Sequence, residues 1–432
     1  MLTNEIIEDY IKILESELVP AMGCTEPIAL AYGGARAREV LGQMPEKVIA
    51  KCSGNIIKNV RCVTIPNSKG LVGIEAGVLL GIAGGNAQKQ MEVLEDVADE
   101  DIEKAKDMLK KGVCKVEFLD SSSVLHIILE LYTEEHSAVV EIRDGHTNIT
   151  SIRKDGKELL EGAALVEHDD TDERKVILNM ENIKEFADTV ELSKVQHLIE
   201  RQITCNMAIA NEGMKGGYGL GLGKLLVESY PDTTLNQMKA YAAAGSEARM
   251  GGCDLPVIIN SGSGNQGIAS SVPVVVYARI KQVDQETLYR SLVFSNLLTI
   301  YQKTYIGKLI YQKTYIGKLS AFCGAVSASC ASGAALTYMV GGTLDQIKMT
   351  VENTLANIPG IICDGAKISC AAKIATSLDA AIMAMKNKVY APYTGILQED
   401  TPETISCVGY IGKEGMKQTD KEILKIMIEH NE

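Results

Sequence analysis

Four cysteines stand where a thiol could do chemistry: Cys24, Cys323, Cys363 and Cys370. Cys24 lies in Gly-Cys-Thr-Glu-Pro (23–27), between an acidic first helix, NEIIEDYIKILESELVP, and the run IALAYGGARAREVL. Thr25 reads as an N-cap, with Glu26 and Pro27 in the first turn, where an acid and a proline are both favoured. Cys24 is then expected beside the positive end of a helix dipole, which stabilises a thiolate and makes it a base, a nucleophile or a metal ligand. The plainer alternative is a small buried residue ahead of a helix. Cys323 and Cys330 in AFCGAVSASC, and Cys363 and Cys370 in GIICDGAKISC, share the spacing C-x6-C. On one straight helix such a pair is about 10 Å apart, too far for one tetrahedral metal, so a ligating pair needs a break between its members. Asp364-Gly365 supplies that break, whereas the residues after Gly324 supply none. Cys323 is therefore the better ligand and Cys330 the better core residue. Three thiolates from Cys323, Cys363 and Cys370 suit an iron-sulfur cluster with one iron left open; a three-cysteine zinc site, or no metal at all, stays open.

Polar glycine loops form a second group: NSGSGNQG (260–267), KGGYGLGLGK (215–224) and SGNIIKN (53–59). Glycine lets backbone N–H groups approach an anion, and Ser and Asn add donors, so a carboxylate or phosphate could be held there. A tight turn explains each loop equally well. Neither longer loop is a dinucleotide fingerprint, because GLGLG lacks a clear preceding strand and GSGNQG stands before PVVVYA rather than opening a helix.

The elements around these residues change character near residue 175. Before it, β-rich runs (KVIAKCSGNIIKNVRCVTIP, VEFLD, VLHIILELYT) alternate with helical ones. The pair SAVVEIR and TNITSIR is joined across Asp144-Gly145-His146, a hairpin signal, and Lys154-Asp155-Gly156-Lys157 marks another turn. After residue 180 helical periodicity dominates, from MENIKEFADTVELSKVQHLIERQ to DKEILKIMIEH. The expectation is an α+β fold, with an α+β domain over 1–175 carrying the GCTEP loop and a mostly helical domain over 176–432. IYQKTYIGKL (300–309) recurs unchanged at 310–319. Ten residues inserted into a continuous helix rotate everything downstream by roughly 80°, so one copy is expected to loop out or to be poorly ordered.

With 432 residues, 46% of them hydrophobic, the chain can bury one large or two medium cores. A formal charge of −13 without a basic cluster argues against nucleic acid and anionic membranes as partners, and favours a small molecule. The acidic N-terminus is unlike a signal peptide, so a cytoplasmic location is expected. The charge-free stretch 319–343 is too rich in Ala, Ser and Gly for a membrane span and reads as buried helix. Eleven cysteines, an odd number without an export signal, do not indicate a disulfide framework. Cys52, Cys62, Cys114, Cys205, Cys253, Cys330 and Cys407 lie singly and read as small core residues.

Taken together, GCTEP, SGNIIKN, NSGSGNQG, YIGKLSAFCGA and GIICDGAKISC resemble the L-cysteine desulfidase family, relatives of the iron-sulfur L-serine dehydratases, over nearly the whole chain. The resemblance implies a 4Fe-4S cluster held by Cys323, Cys363 and Cys370, with Cys24 as proton acceptor and a helical cluster-binding second domain. It implies β-elimination of L-cysteine to pyruvate, ammonia and hydrogen sulfide. Ser261, Gly262, Ser263, Gly264 and Asn265 are then candidates for the substrate carboxylate, with Asn55, Lys58 and Asn59 as helpers. A pyridoxal enzyme could do the same chemistry, but Lys367 is the one lysine worth considering for its Schiff base. Rival expectations are an L-serine dehydratase with the same cluster and a non-catalytic metal or redox-sensing protein. Leaving-group preference and homo-oligomeric assembly are not legible. The duplication abuts the segment carrying Cys323 and departs from the family pattern.

Overall fold

The computed structural model describes residues 2–22, 25–121, 123, 125–161, 173–307, 322–387 and 395–429. Among the described residues eight strands are formed: β1 (Pro20–Met22), β2 (Lys47–Ser53), β3 (Cys114–Leu119), β4 (His126–Tyr132), β5 (Ser137–Arg143), β6 (Ile149–Lys154), β7 (Lys157–Glu161) and β8 (Pro256–Ile258). Six build one sheet in the order β3-β2-β4-β5-β6-β7, parallel between β2 and β3 and antiparallel elsewhere. Period-two alternation puts Ile127, Leu129 and Leu131 of β4 and Ala138, Val140 and Ile142 of β5 on the buried face. There they share a core with Ile28 and Leu30 of helix Thr25–Leu41 and Leu79 and Ile82 of helix Ile74–Gly84. Asp155 and Gly156, both with positive φ, make the two-residue turn between β6 and β7. The β5–β6 connection is longer than the Asp-Gly signal alone requires, running from Asp144 to Asn148.

The remainder is helical, and the fold is α+β. Ile199, Phe294, Leu297, Leu336, Ile374 and Leu378, from four helices between Gln196 and Lys386, meet in a second core. The first helix, Asn4–Glu17, belongs to this core rather than to the sheet's, with Tyr10 against Phe186 at 5.2 Å between ring centroids. β1 then pairs antiparallel with β8, Pro20 opposite Ile258 and Met22 opposite Pro256. The chain thus crosses from the helical core to the sheet's core between Met22 and Thr25, where GCTEP begins.

Three readings need correction. GSGNQG does open a helix, Gly264–Lys281, which runs through PVVVYA with Pro273 inside it. The helix is buried on nearly every side, so it shows no amphipathic period, and its valine run imitates a buried strand. Cys62 is exposed, not core; Cys52, Cys253 and Cys330 are buried, and Cys114, Cys205 and Cys407 are half-buried. Thr25 is the first residue of its helix rather than the residue flanking it. The stretch 319–343 yields the buried helix Gly324–Met339, and among the described residues no helix is long and apolar enough to cross a membrane. Helix Gln285–Gly307 carries most of the first IYQKTYIGKL copy. The remaining copy, 310–319, and the expectation that it loops out, lie outside the described residues.

Candidate functional site

The fold gathers Cys323, Cys363 and Cys370. Cys323 has extended backbone at the head of helix Gly324–Met339, and its N–H donates to the Ile361 carbonyl at 2.8 Å, while Phe322 bridges Ile362. That short antiparallel contact brings the Cys323 and Cys363 thiols close enough to shift each other's titration. Cys370 begins helix Cys370–Lys386, donates its S–H to the Gly365 carbonyl at 3.8 Å, and lies within electrostatic reach of both. Between them, Gly365 takes φ +98°, and a Cβ there would fall 1.9 Å from the Lys58 carbonyl oxygen. The cysteine loop therefore presses directly on helix Gly54–Val60. The flanks of Cys24 are fixed by β1 and by helix Thr25–Leu41, but Cys24 itself lies outside the described residues.

Charge is arranged around the thiols. The hydrogen bond from Cys323 holds Cys363 down to about 5, aided by Lys58, the Gly365 N–H and Lys373, against the cost of burial. The same bond, with burial, pushes Cys323 well up. Lys373 donates to Asp364 at 2.6 Å and to the Ile362 carbonyl at 2.9 Å, which ties helix Cys370–Lys386 to the loop. Lys303, buried, sits in the field of Cys323 and Cys363, and its burial lowers its pKa. Lys367 is paired with Asp364.

The glycine loops differ in what their N–H groups already hold. In 215–224, the buried Glu247 carboxylate accepts from Gly221 N and Leu222 N at 2.9 Å each, so the chain supplies its own anion. In 260–267, Ser261 and Gly262 have positive φ and Gly264 starts its helix. Ser261 Oγ donates to Asn260 at 2.8 Å, Ser246 donates to Asn265 Oδ1 at 3.1 Å, and Arg249 reaches Asn265 Oδ1 at 3.4 Å. A Cβ on Gly264 would strike Arg249 Nε at 2.3 Å, and one on Gly324 would strike Gln266 Cδ at 2.4 Å. This loop therefore abuts both Arg249 and the residue following Cys323. In 53–59, the buried Lys58 ammonium pairs with Asp420 of the last helix, Lys417–Glu429, at 2.7 Å. Asn59 Nδ2 is buried without a partner among the described residues, and Asn55 is half-buried.

Comparison with known proteins places this arrangement. Residues 88–425 match the family described as "Serine dehydratase alpha chain". The chain belongs to that family. Relatives named "UPF0597 protein" are 46% identical in Lachnoclostridium phytofermentans, over 97% of this chain and 99% of the relative, and 45% identical in Finegoldia magna, over 98% and 100%. A dehydratase breaks a carbon–oxygen bond by elimination, so the chemistry at family level is a lyase's. Cys323, Cys363 and Cys370 lie within electrostatic reach of one another and offer a sulfur-only donor set, the chemistry that a thiolate-held iron-sulfur cluster takes. Among the described residues no three His, Cys, Asp or Glu side chains are placed to hold a single metal ion, as a three-cysteine zinc site would need.

Arg249, Gln266, Lys303, Lys373 and Asp420 were not singled out from sequence. Gln266 lay inside a quoted loop. Arg249 sits on helix Thr234–Met250, so thoroughly buried that no pattern distinguishes a functional face.

Proposed function

We propose that this chain catalyses β-elimination on a small amino acid, L-cysteine, giving pyruvate, ammonia and hydrogen sulfide with uptake of one water. The observation that carries the reading is the meeting of Cys323, Cys363 and Cys370 beside the first turn of helix Gly264–Lys281. Those three thiolates would hold a 4Fe-4S cluster, which when bound supplies Lewis acidity toward the leaving heteroatom. The loop Ser261–Asn265 receives the substrate carboxylate. Lys58 pairs with Asp420 through its ammonium and meets Gly365 through its backbone carbonyl, so helix Gly54–Val60, which carries Asn55 and Asn59, adjoins the cysteine loop. Cys24 thiolate takes the Cα proton; the Cβ–S bond breaks with its electron pair on sulfur, leaving aminoacrylate. Aminoacrylate tautomerises to the imine, which water hydrolyses to pyruvate and ammonia.

The family match supports a second reading in which L-serine loses water by the same steps. Anaerobically purified protein assayed with both amino acids separates the two. Sulfide and pyruvate from cysteine faster than pyruvate from serine supports the first, and the reverse order supports the second. No pyruvate from either, in protein carrying iron, leaves a non-catalytic metal protein and overturns both.

A further inference from the structure

Helix Thr234–Met250 ends beside the site with the buried charge of Arg249, whose field reaches the Cys370 thiol. Arg249 is 6% exposed, and no carboxylate among the described residues pairs with it. Its side chain donates to the neutral Asn265 Oδ1 at 3.4 Å, while its Nε is buried without a partner among the described residues. Glu247, the nearest acid on the same helix, is already spent on Gly221 N and Leu222 N. A buried guanidinium left unpaired is costly, and its fork of donors matches a carboxylate. It lies against Gly264, the first residue of an eighteen-residue helix whose N–H groups also favour an anion. Gln266, two residues on, has a buried Oε1 without a partner among the described residues and packs against Gly324, next to Cys323. An acceptor there cannot serve a carboxylate but suits an ammonium, so unmet donor and unmet acceptor flank one helix start.

We propose that Arg249 is the counter-ion of the substrate α-carboxylate, clamping it against the first turn of helix Gly264–Lys281 while the substrate's ammonium faces Gln266. The assignment rests on the amino-acid lyase reading and deepens it by placing the anion at a residue outside the glycine loop. It makes the site selective for free α-amino acids over their amides and amines.

The test uses the full chain, purified anaerobically, in two arms. In the first, melting of the wild-type protein is followed with L-serine, L-cysteine and L-serinamide. A rise with the acids and none with the amide is expected; equal stabilisation by serine and serinamide overturns the proposal. In the second, Arg249→Met and Arg249→Lys are compared in steady state and in iron content. Arg249→Met is expected to keep its iron and raise KM at least about thirtyfold, with a smaller change in kcat and partial recovery in Arg249→Lys. An unchanged KM in Arg249→Met overturns the proposal. Should Arg249→Met not fold, acid against amide in the wild type decides alone. Failure of the lyase reading looks different: no pyruvate from either amino acid, with the carboxylate-dependent melting shift still present.

Discussion

Gly365 and Gly217 form a controlled pair for testing how the cysteine loop is held. Their φ values are +98° and +94°, so an alanine at either pays a similar conformational penalty, about 1–2 kcal/mol for an L-residue in left-handed territory. Their surroundings differ. A Cβ on Gly217 meets nothing within 4 Å, whereas one on Gly365 falls 1.9 Å from a backbone oxygen, that of Lys58. Backbone cannot swing aside as a side-chain tip can, so either the loop or helix Gly54–Val60 must move. That adds an overpacking cost of about 1–3 kcal/mol. Urea unfolding of the metal-free protein should therefore show Gly365→Ala less stable than Gly217→Ala by that increment, roughly a factor of 5 to 150 in the unfolding constant. The shift also separates Cys363 from Cys323, so Gly365→Ala should take up less iron on reconstitution while Gly217→Ala matches wild type. Equal stability and equal iron in the two variants would refute the claim that close approach to Lys58 sets the loop.

Replacing Asp420 by Ala strands the Lys58 ammonium, whose side chain is 1% exposed, and should cost about 3 kcal/mol; adding Lys58→Met should recover most of it in a double-mutant cycle. In metal-free protein at pH 6, mass-spectrometric mapping of alkylation should find Cys363, held down to about 5, labelled well ahead of Cys330, which burial pushes up to about 12; Cys323→Ala should move Cys363 labelling to higher pH. Because the folded value of Cys363 is depressed, its thiolate stabilises the metal-free fold fully above the ordinary thiol value, about 8.5, and that contribution is lost as pH falls toward about 5, which pH-dependent melting of wild type against Cys363→Ser measures. Glu247→Gln leaves one of two half-buried backbone donors poorly served and should lower stability by about 1 kcal/mol in urea unfolding, with iron uptake unchanged.

The α+β class was legible because β4 and β5 alternate cleanly and the helical half is long and periodic. The core placement of Cys330 was also legible, since it lies inside an unbroken apolar run, and it is buried with its thiol turned to the Val351 carbonyl. The start of helix Gly264–Lys281 was not, because complete burial removes the polar face that reveals a period. Arg249 escaped notice for the same reason, and Asp420 because its partner Lys58 is 362 residues away in the chain.

What the sequence determined by itself was local: which residues carry reactive groups, where Asp364-Gly365 interrupts a helix, and which runs alternate or repeat. Those follow from backbone and side-chain preferences spanning a few residues. Only the tertiary structure decided that Phe322 meets Ile362, that Lys58 backs Gly365, and that Arg249 reaches the glycine loop. Such meetings depend on how buried helices pack, and packing is set by contacts between residues far apart in the chain, which no local pattern encodes.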